Sequence, residues 1–471
     1  MDLAERGNMV QGKEWKHILL FTLPLMVGHA LQQLYNTVDG IVVGNYIGDA
    51  ALAAVGTCAP LTLVFIALSI GMSNGSSVVV AQYYGAKKYD EMRRAVSTSL
   101  LMLFALGAVL SVVGVLVARP MLAHVLNVGP AYLDYAADYF RVYAIGLVFQ
   151  FIYNACAAMM RALGDSRATL YFLLVSSVVN VGLDLLFVIT FQMGTAGAAW
   201  ATIISQAMAA LVAVIYMYRR HPLLAIPFRQ LRFYGDSAAL CMKMAIPTTL
   251  GQCVVSCGSL ALQRLVNSFD LLYPGIMAGG TAGMRVDSFI TIPIFSFNVA
   301  VSAFTGQNVG AGRLDRVERG RRAATLMSLG ICLVISAIGV IFRGPLVELF
   351  GVSGQALYFG KLYLTIFCPG LLLFSLHMST SGVMQGAGDV KYNTFVTLSS
   401  FALRCILAYT LAYLTPLSYY AIWLATPLSW AYNIVMSWTR FYSGKWKEKS
   451  LVGVPAEMAE EALETIDEEV L

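Results

Sequence analysis

Residues 18–56 read ILLFTLPLMVGHALQQLYNTVDGIVVGNYIGDAALAAVG, and this stretch decides how the chain can fold. It is apolar and longer than the roughly 20 residues that a helix needs to cross a bilayer. It also carries Asp39, and the spacing of His29, Gln32 and Asn36 places all four polar residues on one helical face. An ionisable group inside a membrane span is costly and by default faces an aqueous cavity. The stretch therefore predicts a transmembrane helix with a functional polar face. The alternative is an acid that is hydrogen-bonded inside a packed bundle.

The composition of the chain predicts a polytopic membrane protein. Of 471 residues, 58% are hydrophobic and only 12% are charged, whereas soluble domains carry about 25% charged residues. The eight cysteines are dispersed without a CxxC pair or a Cys/His cluster, which favours small buried side chains over disulfides or a metal site. The first apolar run is already long enough to span, and no A-x-A site follows it, so we predict no cleavable signal peptide.

Twelve apolar segments follow one another, separated by charged or turn-rich residues. Each is long enough to span a membrane as a helix. They cover residues 17–43, 51–82, 95–118, 132–160, 168–191, 196–218, 238–267, 275–306, 323–343, 357–384, 393–414 and 419–442.

Lysine and arginine collect in the segments that would be cytoplasmic if the N-terminus is cytoplasmic. Such a bias orients membrane proteins with the positive loops inside. We therefore predict a protein of the cytoplasmic (inner) membrane with both termini in the cytoplasm. The net charge of +5 then needs no nucleic-acid partner.

The sequence repeats itself at half its length. VVAQYYGAKKYDEMRRA (79–95) aligns with FTGQNVGAGRLDRVERG (304–320) at an offset of 225, and MRALGD (160–165) aligns with MQGAGD (384–389) at an offset of 224. Each half holds six spans, an even number, so both halves have the same orientation in the membrane. We predict an all-α polytopic fold of two parallel six-helix bundles around a central cavity. The predicted division is an N-terminal arm (1–16), an N-lobe (17–218), a linker (219–237), a C-lobe (238–443) and an acidic tail (444–471).

The halves differ in their intramembrane acids. Asp39 aligns with Leu262, and Asp184 aligns with Ala408. Asn180 lies one helical turn before Asp184 on the same face. These oxygens, with the hydroxyl of Thr202 from the sixth span, could bind a cation. Two acids in a low dielectric do not readily both ionise, which suits H⁺, and the same oxygens suit Na⁺. The alternative is that the polar groups only join helices by hydrogen bonds.

The C-terminal half carries different charged residues inside its spans, Arg285, Asp287 and Arg404. Asp287 and Arg404 are expected to form a structural ion pair across helices. Lining of a substrate cavity by all three residues is the other interpretation.

Two further classes of function are disfavoured. GAKK (85–88) and GAGR (310–313) lack the Walker pattern and a preceding strand, so we predict no nucleotide site and no cofactor. An enzyme would need a catalytic pair inside the spans, but His29 and Asp39 lie about 15 Å apart along one helix. We therefore predict a protein that is not an enzyme.

The whole pattern resembles the multidrug and toxic compound extrusion (MATE) family, in its DNA-damage-inducible-F-like prokaryotic branch. The resemblance covers roughly residues 15–445. It is carried by PLMVGHALQQLYNTVDGIVVGNYIGDAALAAVG (24–56), by the paired motifs VAQYYGAKKYDEM and TGQNVGAGRLDRV, and by the MRALGD/MQGAGD pair. It implies a V-shaped pair of bundles and an N-lobe cation site. The residues at the matching positions are Asp39, Asn180, Asp184 and Thr202. The seventh and tenth spans lack the acids that another branch uses there.

The resemblance implies a secondary-active transporter that exports organic, often cationic and amphipathic compounds in exchange for H⁺ or Na⁺ by alternating access. Its partners would be the small-molecule substrate and the lipid bilayer, and two lobes would form a complete transport unit as a monomer. Gln32, Tyr35 and Asn36 are expected to line the substrate path, and Pro24 is expected to be a hinge. The alternative is a flippase for a lipid-linked precursor of the same superfamily.

Overall fold

The computed structural model describes residues 7–46, 49–126 and 128–452, and all regular structure in these ranges is helical. The prediction of an all-α fold is confirmed for this part of the chain. The α-helices are α1 (Glu14–Tyr46), α2 (Asp49–Gly85), α3 (Tyr89–Pro120), α4 (Pro130–Ala162), α5 (Ser166–Asp184), α6 (Gly194–Arg220), α7 (Gly235–Asp270), α8 (Ile276–Ile290), α9 (Ile292–Gly310), α10 (Leu314–Ile341), α11 (Arg343–Glu348), α12 (Gly354–Ala387), α13 (Val390–Leu414) and α14 (Tyr419–Tyr442). Two π-helical segments, Met121–Val125 and Leu185–Thr190, continue α3 and α5.

Eleven helical stretches in the described ranges are long and apolar enough to cross a membrane, judged by length and composition. The last of the twelve predicted spans, α14, is not among these eleven, although its 24 residues extend about 36 Å at 1.5 Å per residue. The chain is therefore a multi-pass membrane protein, as predicted. Parts of the predicted N-terminal arm (1–6) and acidic tail (453–471) lie outside the described residues.

One predicted span is not a single helix. The segment predicted over 275–306 divides at Thr291 into α8 and α9. Pro293 lies in the first turn of α9, where its missing N–H costs nothing and its fixed φ favours a helix start. The apolar run continues through Thr291, so hydropathy alone did not indicate the division.

The chain forms two compact units, which divide it differently from the predicted domains. Unit 1 contains Val27–Tyr84 and Lys88–Thr249, and unit 2 contains Met9–Met26 and the chain from Leu250 onward. The beginning of α1 therefore belongs to unit 2, and the beginning of α7 belongs to unit 1. Both divisions fall two residues after a proline, Pro24 in α1 and Pro247 in α7.

The two units use the same helix pairs. In unit 1, α4 packs on α3 and α6, and in unit 2 the equivalent helix α12 packs on α10 and α14. Small residues at the interfaces let the helices approach closely. Gly114 packs against Ala144 in unit 1, and Gly339 packs against Cys368 in unit 2. The two contacts are equivalent, because Gly339 lies 225 positions after Gly114 and Cys368 lies 224 positions after Ala144. The predicted repeat is thus present in the packing of each unit.

Residues Met9, Gly12 and Glu14 of the N-terminal arm are held within unit 2 by a buried arginine. Arg316, 5% exposed, donates from Nη2 to the carbonyl of Met9 (3.2 Å) and from Nη1 to the carbonyl of Gly12 (2.8 Å). Nη1 also forms an ion pair with Glu14 at 3.2 Å. The backbone N–H of Met9 donates to Oε1 of Gln307 at 2.9 Å. These bonds join residues about 300 positions apart in sequence.

Candidate functional site

The candidate site lies in unit 1, where α1 runs beside α5. Gly28 is the point of close approach, because a Cβ there would lie 2.9 Å from Leu173 Cδ1 and 3.6 Å from Leu170 Cα. Only a residue without a side chain allows the two backbones to come this near.

A second contact fixes the register of the two helices. Val42 of α1 packs with Val188, which follows α5, and with Ala198 of α6. From the Gly28–Leu173 contact to the Val42–Val188 contact, residue numbers increase along both α1 and α5. The two helices are therefore parallel. Asp39 lies eleven residues beyond Gly28, and Asp184 lies eleven residues beyond Leu173. The two aspartates are therefore at the same level, about 16 Å from the glycine contact.

The polar atoms at this level have no protein partner. Asn180 is 1% exposed and Asp184 is 0% exposed. Both amide atoms of Asn180, both carboxyl oxygens of Asp184 and Oδ1 of Asp39 are buried and make no hydrogen bond within the described part of the chain. The carboxyls of Asp39 and Asp184 lie close enough for their charges to interact. The structure thus brings three of the four predicted cation-site residues together.

This arrangement is unfavourable without a further group. Each buried polar group that lacks a hydrogen bond costs about 1–3 kcal/mol, and more when it is charged. Two carboxyls that face one another cannot both stay ionised at low cost. A proton on one carboxyl, or a cation bound by both, would remove this cost. The amide oxygen of Asn180 is a further ligand of the kind that hard cations prefer.

The backbone also changes at the site. The α-helical part of α5 ends at Asp184, and the π-helical segment begins at the next residue. Single π-helical turns occur often at functional sites. The equivalent helix of unit 2, α13, remains α-helical from Val390 to Leu414.

Thr202, the fourth predicted cation-site residue, is bonded elsewhere. Its hydroxyl donates to the carbonyl of Ala198 at 3.1 Å, within its own helix. Ala198 itself packs with Val42 and Val188, so Thr202 lies one turn from the site. Its hydroxyl can still accept a hydrogen bond.

The predicted lining residues of α1 share the polar face but differ in exposure. Gln32 and Tyr35 are half-buried and hydrogen-bonded to each other, whereas Asn36 is exposed. Tyr35 lies within electrostatic range of Asp39 and Asp184. Sequence reasoning missed Tyr139 of α4, which is also within range of both acids. The sequence held one indication of Tyr139: at the repeat offset of 224, Tyr363 occupies the matching position in the second half.

In unit 2, the predicted ion pair between Asp287 and Arg404 is not formed. Tyr363 Oη donates to Oδ2 of Asp287. The charges of Asp287 and Arg404 interact. In the described residues, however, no nitrogen of Arg404 lies within 4.0 Å of a carboxylate oxygen of Asp287. Tyr363 competes for the carboxylate from a third helix, which sequence spacing could not reveal. Arg285 is exposed and forms no ion pair with Asp287 within 4.0 Å in the described residues.

The end of α5 that precedes the site is anchored by an aspartate of the MRALGD motif. Asp165 caps α5 by accepting from the N–H of Ala168 at 3.1 Å, and it also accepts from Tyr216 Oη (3.0 Å) and His221 Nε2 (2.9 Å). Burial raises the pKa of Asp165, but the hydrogen bonds from His221, Ala168 and Tyr216 outweigh this and hold it below its usual value.

The matching aspartate of MQGAGD is held in the same way by a different partner. Asp389 accepts two bonds from Arg440, at 2.7 and 3.2 Å. Arg440 and Tyr216 occupy equivalent positions at an offset of 224. Both copies of the motif therefore fix the start of a helix, α5 or α13.

Comparison with known sequences and structures agrees with these observations. Residues 24–186 and 247–410 match the sequence profile of the family described as MatE, once for each half. The protein named "Probable multidrug resistance protein YoeA" from Bacillus subtilis (strain 168) is 28% identical over 465 residues, covering 96% of this chain and 99% of that protein. "Probable multidrug resistance protein YpnP" from the same strain is 28% identical over 445 residues, covering 94% and 98%.

A solved structure of a MOP superfamily transporter from Pyrococcus furiosus has the same fold. Its TM-score is 0.87 at 23% sequence identity, and the match covers 93% of this chain and 98% of that chain. Both halves of the chain, with the helices that carry the candidate site, lie within these full-length matches.

Proposed function

This chain belongs to the MatE family of multidrug efflux transporters, and from that premise we propose that it exports organic compounds, often cationic and amphipathic, in exchange for H⁺ or Na⁺ by alternating access. The relatives that match nearly the whole chain are named as multidrug resistance proteins. They favour drug export over the flippase alternative and over an enzyme.

One observation carries the proposed coupling site. Asp39, Asn180 and Asp184 together hold five buried polar atoms that have no hydrogen-bond partner in the described chain. In a membrane span such groups are costly and indicate an ion pathway. We propose that H⁺ or Na⁺ binds here, and that Thr202 contributes its hydroxyl oxygen as a further acceptor.

Coupling requires that the ion bind two conformations with different affinity. In the proposed cycle the compound enters from the cytoplasm, and the cation arrives from outside and disfavours the loaded outward-facing state. Gln32, Tyr35 and Asn36 would line the substrate path on the same face of α1 as Asp39. The exported compound and the coupling ion would then contact neighbouring turns of the same helix, α1.

Pro24 is the proposed hinge of this motion. It lies inside α1, where the missing N–H leaves one carbonyl of the preceding turn without its helical bond. Two residues later α1 passes from one compact unit to the other. For a Pro24→Ala protein we expect unchanged compound binding and slower ion-driven transport. Transport at the wild-type rate would remove the hinge from the mechanism.

The decisive experiment is ion-driven dye movement in proteoliposomes. Ethidium movement is followed with an imposed pH gradient and then with an imposed Na⁺ gradient, for the wild type and for Asp39→Asn and Asp184→Asn. We expect one gradient to drive movement in the wild type and neither gradient to do so in the variants. Ser177→Ala is the matched control, because its hydroxyl bonds only to the carbonyl of Leu173 in its own helix.

The outcomes separate the possibilities. Variants that still couple at the wild-type rate would falsify the proposed site. A wild type that moves ethidium under neither gradient would contradict export of this class of compound. Melting temperatures measured in detergent establish that each variant is folded.

We also propose that the protein resides in the cytoplasmic membrane with both termini in the cytoplasm, and that it works as a monomer. The basic residues between the predicted spans, in the segments 83–94, 219–237 and 307–322, support this orientation. Fusions at residue 452 to green fluorescent protein and to alkaline phosphatase check it. We expect fluorescence without phosphatase activity, and the reverse result would overturn the orientation.

A further inference from the structure

The repeat places an arginine where unit 1 has part of its candidate cation site. At the offset of 224 that relates MRALGD to MQGAGD, Arg404 of α13 occupies the position of Asn180 of α5. Tyr363 likewise occupies the position of Tyr139. The positions of the two acids are taken by Leu262 and Ala408, which are 7% and 0% exposed. The same place in the fold therefore has two carboxyls in unit 1 and a guanidinium in unit 2.

The guanidinium of Arg404 has no acceptor in unit 2. It donates no hydrogen bond within the described residues, and its Nε is buried. Its ring contact is with Phe401, whose centroid lies 6.0 Å from Cζ. The residue as a whole is half-buried. A guanidinium has five N–H donors in a planar fork, and those of Arg404 have no acceptor among the described residues.

Asp287 does not neutralise this group by direct contact. Its Oδ2 accepts from Tyr363 Oη, so one oxygen of the carboxylate already has a hydrogen-bond donor. The charges of Asp287 and Arg404 still interact at longer range. Asp287 therefore lowers the net positive charge of the cluster but leaves the donors of Arg404 free for another acceptor.

We propose that Arg404 binds the carboxylate of an exported organic compound, in a subsite of unit 2 that is separate from the cation site. A planar carboxylate fits the guanidinium fork with two parallel hydrogen bonds. The negative charge of Asp287 nearby disfavours a multiply charged phosphate and favours a single negative charge. Phe401 provides an apolar ring beside the guanidinium for the body of the compound. This inference rests on the proposed function, because the bound compound is the one exported.

The test uses two dyes that differ in one group. Rhodamine 19 carries a free carboxylate, and rhodamine 6G is its ethyl ester with the same cationic ring system. Binding to purified protein in detergent is measured by fluorescence polarisation, without any ion gradient. For Arg404→Gln we expect the affinity for rhodamine 19 to fall about tenfold, from the loss of one charge-assisted pair. The affinity for rhodamine 6G should change less than about twofold.

A second variant and a competition arm complete the experiment. Arg404→Lys keeps the positive charge but lacks the planar fork, so we expect its affinity for rhodamine 19 to lie between those of the wild type and Arg404→Gln. If Arg404→Gln does not fold, Arg404→Lys replaces it in the test. Equal losses for both dyes, or no loss for either, would overturn the proposal. Benzoate should displace rhodamine 19, whereas displacement by phosphatidylglycerol alone would assign the site to a lipid headgroup instead.

The result is independent of the coupling experiment. Dye binding needs no gradient, and ethidium carries no carboxylate. Failure of the Asp39→Asn test with a positive Arg404 test would leave an anion subsite without the proposed coupling site. The opposite pair of results would leave coupling in place and remove the subsite.

Discussion

Four aspartates show two different surroundings for a carboxylate in this fold. Asp165 and Asp389 lie at helix starts and are satisfied by hydrogen bonds from neighbouring side chains. Asp39 and Asp184 lie within spans and have carboxyl oxygens without partners. The first arrangement stabilises the fold, and the second is the one that we propose to bind the coupling ion. Residue type alone does not distinguish these roles, but the partners do.

Asp165 gives a prediction for stability and its pH dependence. Its pKa is lowered in the folded protein, so it stabilises the fold when ionised. This contribution is fully present above the unfolded pKa of about 3.9 and is lost as the pH falls through the lower folded value. We expect Asp165→Asn to lose about 1–3 kcal/mol at pH 7. Its melting temperature should also fall less steeply than that of the wild type on acidification to about pH 3.

The matched control for this prediction is Asp138→Asn. Asp138 forms an exposed pair with Arg141 at 3.5 Å, and its side chain is 66% exposed. Such pairs contribute little, so we expect no measurable change. A variant of Asp165 with the wild-type melting temperature and a parallel pH profile would contradict the role of the cap.

At the scale of helices, the sequence predicted the existence of the spans better than their contacts. Long apolar runs define the helices because each must satisfy its own backbone in the membrane. The division at Thr291 escaped hydropathy because the residues on both sides remain apolar. The ion pair of Asp287 with Arg404 was predicted from charge alone and was wrong, because Tyr363 lies 76 positions away in sequence and competes for Asp287.

The candidate site was predictable in part for the same reason. The helical spacing of Asn180 and Asp184 indicated their common face. The register that brings Asp39 level with Asp184 depends on Gly28 meeting Leu173, a contact between positions 145 apart that local patterns do not show. The equivalence of Arg404 and Asn180 follows from the repeat offset of 224 alone, whereas the missing partner of Arg404 is visible only in the structure.

Gly28 gives a prediction at this scale. A Cβ at this position would lie 2.9 Å from Leu173 Cδ1, and the further methyl groups of valine would meet the backbone of α5 near Leu170. We expect Gly28→Val to cost about 1–3 kcal/mol and to displace Asp39 from Asp184. Ion-driven ethidium movement should therefore fall strongly while the helical circular dichroism signal is retained.

Gly40→Ala is the control on the same helix. Nothing lies within 4 Å of a Cβ at Gly40, and alanine favours a helix over glycine by up to about 1 kcal/mol. We expect this variant to melt at the same or a higher temperature. Normal transport by Gly28→Val would show that the close approach of α1 and α5 does not position the acids.

At the scale of the whole molecule, the prediction of a MATE family transporter is confirmed, and the repeat explains both the similarity and the difference between the units. Matching glycine contacts, and a hydrogen-bonded aspartate at the start of both α5 and α13, maintain one architecture twice. The charged residues within the spans differ between the units, and Arg404 of unit 2 stands where unit 1 has Asn180. The repeat therefore preserves the packing but not these polar side chains.

Arg316 gives a prediction for the N-terminal arm. Its side chain holds Met9, Gly12 and Glu14 against α10 while almost fully buried. Removing one partner of a buried charged network costs about 3–5 kcal/mol. We expect Arg316→Gln to lower the melting temperature and to make the arm sensitive to limited proteolysis.

The control is Arg322→Gln. Arg322 pairs with Glu318 on the helix surface at 2.8 Å and is 61% exposed, so its loss should change stability by less than about 0.5 kcal/mol. If the arm is cleaved by protease no faster in Arg316→Gln than in Arg322→Gln, then Arg316 does not hold it in place.

The fastening of the arm also determines the order of events during synthesis. Met9 is made before its partner Gln307, which follows 298 residues later. At about 5–20 residues per second, the arm waits roughly 15–60 s before its binding site exists. The apolar beginning of α1 waits even longer, because it packs with Phe441 and Trp446 near the end of unit 2. Between these two times the apolar face at the beginning of α1 is made but still lacks the residues it packs with in the folded protein.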